Sequence, residues 1–191
     1  MFCKNINIDV SLKELRNTYL DHFNIPPSRN SDVKPIQDRG FAIAAKNIKW
    51  NVQELETKLN ISFHTSRIFI TSPGKYFPIH KDCVSNIKTF REWAINIPLF
   101  NCDEGYNTWF LDREEYKDYQ EYMGDGASAV GLLHPNPKLS YREKLDCVKL
   151  LRTDIFHGVD NKQNKDFRIV LSLRSNDNIS WNDISKRIDQ L

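Results

Sequence analysis

The sequence predicts a mainly β protein, an antiparallel sandwich or barrel with helices at its flanks. Three observations predict it. From about residue 66 the chain breaks into short β-rich runs separated by polar or Pro/Gly turns. Helix-capping patterns stand on either side of that region. The 191 residues suffice for one domain with its own core.

The elements follow in order. Ser11-Leu-Lys-Glu14 is a capping box, and Leu12, Leu15, Tyr19 and Leu20 fall on one helical face, which predicts a helix over about 11–23. Asn24–Ser31, with Pro26 and Pro27, reads as a loop. Phe41–Ile48 reads as a strand. Asn51 is placed to cap a second helix, with Glu54 three residues on and Val52, Leu55 and Leu59 as its apolar stripe. Arg67–Thr71 is β-rich, Ser72–Lys75 turns, and further strands are expected at Tyr76–Asp82, Ala94–Phe100, Thr108–Asp112, Lys149–Thr153 and Phe167–Arg174. Arg113–Tyr122 is charged and tyrosine-rich and reads as an inserted helix. Met123–Ser140, with three glycines and two prolines, reads as a long loop or lid. Ser180 caps a closing helix over Ser180–Leu191, with Asp183 at its third position. The expected organisation is a single domain, 1–191: mixed N-terminal support over 1–65, a β core over 66–175 and a C-terminal helix over 176–191.

Composition narrows the function. Lys and Arg total 27 against 25 Asp and Glu, a net charge of +2, so the overall charge gives no general argument for nucleic acid or an anionic membrane as partner and leaves only a local basic groove open. The longest apolar runs, such as Ala94–Phe100, are too short to cross a bilayer. Met1–Asn5 lacks the apolar run of a signal peptide. Cys3, Cys83, Cys102 and Cys147 form no CxxC pair, which suggests reduced thiols and a cytoplasmic location.

The chemistry centres on Tyr76-Phe-Pro-Ile-His80-Lys-Asp82. Side chains alternate along a strand, so His80 and Asp82 share a side. Alone, such a pair is most often a surface or hydrogen-bonded pair. A third ligand is available in His157, at the expected end of an apolar strand in Leu151-Arg-Thr-Asp-Ile-Phe-His157. Two imidazoles and a carboxylate form a facial triad that leaves coordination positions open, and the same set suits zinc. Eleven residues later Arg168 opens Arg168-Ile-Val-Leu-Ser-Leu-Arg174, expected to run back beside His157. There Arg168, Val170, Ser172 and Arg174 share one face, and Ile169, Leu171 and Leu173 the apolar other. An arginine facing a barrel interior requires an anion, and its fork suits a carboxylate.

His80-x-Asp82, His157 and Arg168 together resemble the Fe(II)/2-oxoglutarate-dependent oxygenases, over roughly residues 66–175. Pro78–Phe110, with Ala94-Ile-Asn-Ile-Pro-Leu-Phe-Asn-Cys102 and Thr108-Trp-Phe110, is similar to small bacterial and phage-encoded members, nearest the aspartyl/asparaginyl β-hydroxylase-like group; a phage-encoded member would work in its host's cytoplasm. The resemblance implies a double-stranded β-helix of jelly-roll or cupin type. It implies Fe(II) on His80, Asp82 and His157, and Arg168 paired with the distal carboxylate of 2-oxoglutarate. With O2, the co-substrate would go to succinate and carbon dioxide while a substrate is oxidised. Hydroxylation of a small molecule or an amino-acid or protein side chain is the preferred outcome. Some branches have Ser two residues after the arginine, where this chain has Val170. Asn96 and Tyr76, then Ser172 and Thr108, are candidates to hold the co-substrate instead. The hydroxylase proper lacks the carboxylate ligand, so Asp82 weakens transfer of its substrate. Two rival readings are a cupin-like barrel that binds metal or ligand without oxygen chemistry, and a zinc isomerase or hydrolase. An inward Arg168 discriminates against the metal-only barrel, and the zinc enzyme would neither require 2-oxoglutarate nor consume oxygen.

Of the remaining groups, His22 is expected in solvent and His64 in a structural role, while His134 would meet substrate if its loop is a lid. Trp93 and Trp109 are expected as core or pocket wall, and Arg174 paired with a local acid. Lys88, Arg91, Arg142 and Lys144 read as scattered solubilising charges.

Overall fold

A computed structural model describes residues 1–23, 40–45, 48–83, 90–111, 119–124, 127–132, 136–175 and 178–191. In chain order the elements are β1 (Cys3–Asn5), α1 (Leu12–Phe23), β2 (Gly40–Ala44), α2 (Gln53–Leu59), β3 (Thr65–Thr71), β4 (Tyr76–Cys83), β5 (Trp93–Phe100), β6 (Tyr106–Phe110), β7 (Tyr119–Gly124), β8 (Ala127–Leu132), β9 (Leu139–Lys144), β10 (Lys149–Arg152), β11 (His157–Asp160), β12 (Arg168–Arg174) and α3 (Trp181–Ile188). The strands form two six-stranded antiparallel sheets, β1-β10-β5-β12-β3-β2 and β7-β8-β4-β11-β6-β9. This is the expected jelly-roll, with three helices added.

Strand alternation explains how the first sheet serves two neighbours. One face of β12 carries Ile169, Leu171 and Leu173; with Ile68, Ile70, Ile95, Ile97 and Leu150 these form the main apolar core. Leu15 and Tyr19 of α1, Leu55 and Leu59 of α2, and Trp181, Ile184 and Ile188 of α3 complete it, so all three helices cover that face. The other face carries Arg168, Val170, Ser172 and Arg174 and lines a cavity between the sheets.

The helix starts are partly as expected. Glu14 N–H donates to Ser11 Oγ at 3.4 Å, and Asp183 N–H donates to Ser180 Oγ at 3.2 Å. Asn51 does not cap α2. Val52 occupies the cap position without a side-chain bond, and the Asn51 amide instead donates to Glu14 Oε2 of α1 at 2.8 Å. A tertiary partner has taken the polar group that local propensity assigns to the helix end.

The segment expected as helix then lid is largely strand. Tyr119–Gly124 and Ala127–Leu132 pair with each other, and β8 pairs with β4, setting Gly131 opposite His80. Leu139–Lys144 is β9, on the edge beside β6. Gly124 ends β7 and Gly131 is a strand neighbour, and Tyr119, Glu121 and Tyr122 sit in a strand, where β-propensity depends on context. The 113–118 part of the expected helix, the 24–31 loop, Lys88 and His134 lie outside the described residues. All four cysteines are free thiols. Among the described residues no helix is long and apolar enough to cross a membrane.

Candidate metal centre

β4 and β11 are neighbours, and His157 stands directly opposite His80 in their register. Asp82 follows two residues on, on the same side. The ligand atoms offered by His80, Asp82 and His157 all lie within 4.8 Å of one another. Each imidazole is fixed from behind. His80 Nδ1 donates to the Pro78 carbonyl at 2.8 Å and His157 Nδ1 to the Ile155 carbonyl at 2.9 Å. Each carbonyl thereby fixes a tautomer whose Nε2 lone pair faces the partner ligands, the usual arrangement for metal-bound histidine. His80 Nε2 lies 3.4 Å from Asp82 Oδ1.

The protonation states fit the same use. Burial, with the neighbouring His80, pushes the His157 imidazole down to about 4, so it is neutral near pH 7. Burial alone would raise the Asp82 carboxyl, but the Arg174 guanidinium and the two histidines outweigh it and hold the group well below the carboxylate range. Arg174 Nη2 stands 2.6 Å from Asp82 Oδ2. Arg174 thus meets the expectation of a local acid, and the acid is a candidate ligand.

The strand order corrects two expectations. His157 opens β11 rather than ending an apolar strand. Arg168 does not run beside it: β12 pairs with β3 and β5 in the opposite sheet, so Arg168 faces the triad's sheet across the cavity. β10, β11 and β12 alternate between the two sheets, which sequence proximity alone conceals. Arg168 is 1% exposed. Its Nη2 donates to Asn107 Oδ1 at 2.9 Å, and its Nε has no acceptor. Among the described residues no carboxylate pairs with it, and burial lowers its affinity for its proton.

The expected co-substrate contacts divide. Asn96 and Ser172 face each other in register, line the cavity, and bury Asn96 Oδ1 and Ser172 Oγ without partners. Tyr76 does not line the cavity. Between His80 and Phe77 two residues of β4 oppose one of β11, a bulge that reverses parity and turns Phe77 inward in place of Tyr76. Gly158 faces that bulge, where a Cβ would stand 3.1 Å from the Phe77 carbonyl oxygen. Thr108 also points away, since its neighbours Asn107 and Trp109 take the inward positions. Asn107 is the residue that sequence reading missed; its spacing of two from Trp109 is the signal that marks it. Trp109 is cavity wall, its indole N–H donating to the Arg152 carbonyl at 3.0 Å, while Trp93 belongs to the apolar core.

No family model matches this chain, and no curated protein does. Among solved structures its fold is similar to that of the non-haem alpha-ketoglutarate-dependent carbocyclase SnoK from nogalamycin biosynthesis, with a TM-score of 0.53 at 12% identity over 90% of this chain and 78% of that one. Looser likenesses are oxalate decarboxylase of Bacillus subtilis (TM-score 0.38, 12% identity, 75% and 28% covered) and the cysteine peptidase peruvianin-I of Thevetia peruviana latex (TM-score 0.40, 9% identity, 75% and 66% covered). At such identities the likeness is one of fold alone.

Proposed function

We propose that this protein is an Fe(II)- and 2-oxoglutarate-dependent dioxygenase, with His80, Asp82 and His157 as metal ligands and Arg168 as partner of the co-substrate's distal carboxylate. The observation that carries this reading is Arg168. Among the described residues this buried guanidinium is held by one neutral amide and lacks the counter-charge that burial demands, and it shares a cavity with the triad. A metal-only barrel has no use for it.

The chain's own residues have definite parts. The Pro78 and Ile155 carbonyls orient the two imidazoles, and Asp82 supplies the negative charge that favours iron over bare histidine binding. Arg168 and Asn107 fix one end of a dicarboxylate, while Asn96 Oδ1 and Ser172 Oγ offer unfilled hydrogen-bonding positions on the same wall. Phe69, Phe77, Val170 and Trp109 keep that space apolar and limit water. When bound, iron and 2-oxoglutarate supply oxygen activation coupled to oxidative decarboxylation. The substrate we propose is a small molecule or an amino-acid or peptide side chain, hydroxylated at carbon, in keeping with the near-balanced charge.

The test is an anaerobic titration of metal-free protein with Fe(II) and then 2-oxoglutarate, followed by visible absorption. A weak charge-transfer band that requires both additions, and that Arg168→Ala loses or shifts to far higher 2-oxoglutarate, is the expected result. Iron binding without any band in the wild type would sink the reading in favour of a metal-binding barrel or a zinc enzyme.

A further inference from the structure

β12 ends on Arg174, whose Nη2 stands 2.6 Å from Asp82 Oδ2 with both side chains buried, at 7% and 5% exposure. The guanidinium also lies over the Phe69 ring, 5.6 Å from its centroid. Arg174 and Phe69 belong to one sheet and Asp82 to the other, so the ion pair spans the cavity. The second carboxylate oxygen, Oδ1, remains on the imidazole side, 3.4 Å from His80 Nε2. The two oxygens of one carboxylate therefore have different neighbours: an arginine and the ligand cluster.

We propose that Arg174 is a positioning residue that keeps Asp82 a one-oxygen ligand and offsets its charge, so that a bound divalent cation retains open positions for an anionic co-ligand. This inference rests on the metal reading above. A carboxylate free at both oxygens can grip a cation with both. Each position so taken is lost to a chelating co-substrate. The Arg174 ion pair at Oδ2 competes with that grip. Its charge also cancels the charge Asp82 brings, which leaves the cation's full field for a dianion.

The inference differs in sign from a purely structural role. A strut that merely joined the sheets would, once removed, weaken cation and anion binding together. Removing a carboxylate clamp frees Asp82 to chelate and takes away a repelling charge. The cation then binds at least as tightly while the dianion binds less well.

Co(II) reports both events through its visible d–d bands. Metal-free wild type, Arg174→Met and Arg174→Lys are titrated anaerobically with Co(II), then with 2-oxoglutarate. In Arg174→Met, Co(II) affinity at or above wild type, changed band intensities and a 2-oxoglutarate midpoint raised about tenfold are expected, the scale on which partners of metal ligands act. Arg174→Lys keeps the charge without the fork, and its midpoint is expected between the two. If Arg174→Met does not fold, this Lys midpoint at unchanged Co(II) affinity carries the test. Bands and midpoints equal to wild type overturn the clamp, and so does a parallel loss of Co(II) and 2-oxoglutarate binding. A wild type that takes up no Co(II) removes the metal reading itself and the clamp with it.

Discussion

β12 brings two buried arginines to one face of one strand, and the molecule satisfies them differently. Arg174, at one end, has an internal anion in Asp82. Arg168, at the other, has among the described residues only the Asn107 amide, while the Nε of both arginines is without an acceptor. A buried cation with its acid in place is a closed unit, which stabilises little against apolar residues but costs a great deal to break. A buried cation without an acid among the described residues is an unfinished one, and a bound anion would complete it. On the proposed reading, the contrast separates a residue that arranges the site from a residue that receives a ligand.

The largest test of that contrast is stability in the metal-free state. Asp82→Asn leaves Arg174 buried without its charge partner, and urea unfolding is expected to show a loss of about 3–5 kcal/mol. Arg168→Met removes a charge that no acid among the described residues balances, and a gain of about 1 kcal/mol is expected instead, as when buried ionic groups are replaced by apolar ones. Similar losses in both variants would mean that the two arginines are not held differently.

The contrast was only half legible in the sequence. Parity on β12 put Arg168 and Arg174 on the inward face, because an uninterrupted strand alternates faithfully. His80 and Asp82 were legible for the same reason. Tyr76 was not, because the bulge at Pro78–Ile79 inserts a residue and no local pattern announces it. The pairing of Arg174 with Asp82 depends on which sheet each strand joins, which is a property of topology rather than of neighbours in the chain. The β7–β8 hairpin was hidden similarly: its partner is β4, with His80 paired to Gly131 far along the chain, and its own composition resembles a charged helix followed by a loop.

A smaller effect follows from the triad. His157 has a folded-state value near 4 against an ordinary 6.5, so between these the unfolded chain binds more protons than the native one. Stability should therefore rise with pH from about 4 to 6.5 and level off above. Asp82, depressed in the native state, acts in the same direction, but its contribution is lost only at lower pH, as its carboxylate protonates. Melting profiles of the metal-free protein across this range should lose about 2 kcal/mol of pH dependence in His157→Gln, allowing for the partial exposure of the ring. An unchanged slope between pH 4 and 6.5 would assign that dependence to other groups.

The finest test perturbs one end of β12 and spares the other. Gly105, just ahead of β6, packs under Arg168: an added Cβ would stand 2.8 Å from Asn161 Oδ1 and 3.0 Å from Arg168 Cδ. Asn161 is fully buried, and its amide donates to the Thr71 and Ser72 carbonyls at 3.2 and 3.1 Å, so it has little room to yield. The Arg168 stem must move, taking its guanidinium off Asn107. Gly105→Ala is expected to cost about 1–2 kcal/mol, an ordinary overpacking penalty. It should weaken the 2-oxoglutarate response while leaving Co(II) affinity at the wild-type level, since Arg174, Asp82 and the imidazoles lie at the far end of the strand. Equal loss of both would show that the two ends of β12 are mechanically one site, and the separation of arranging and receiving arginines would fail.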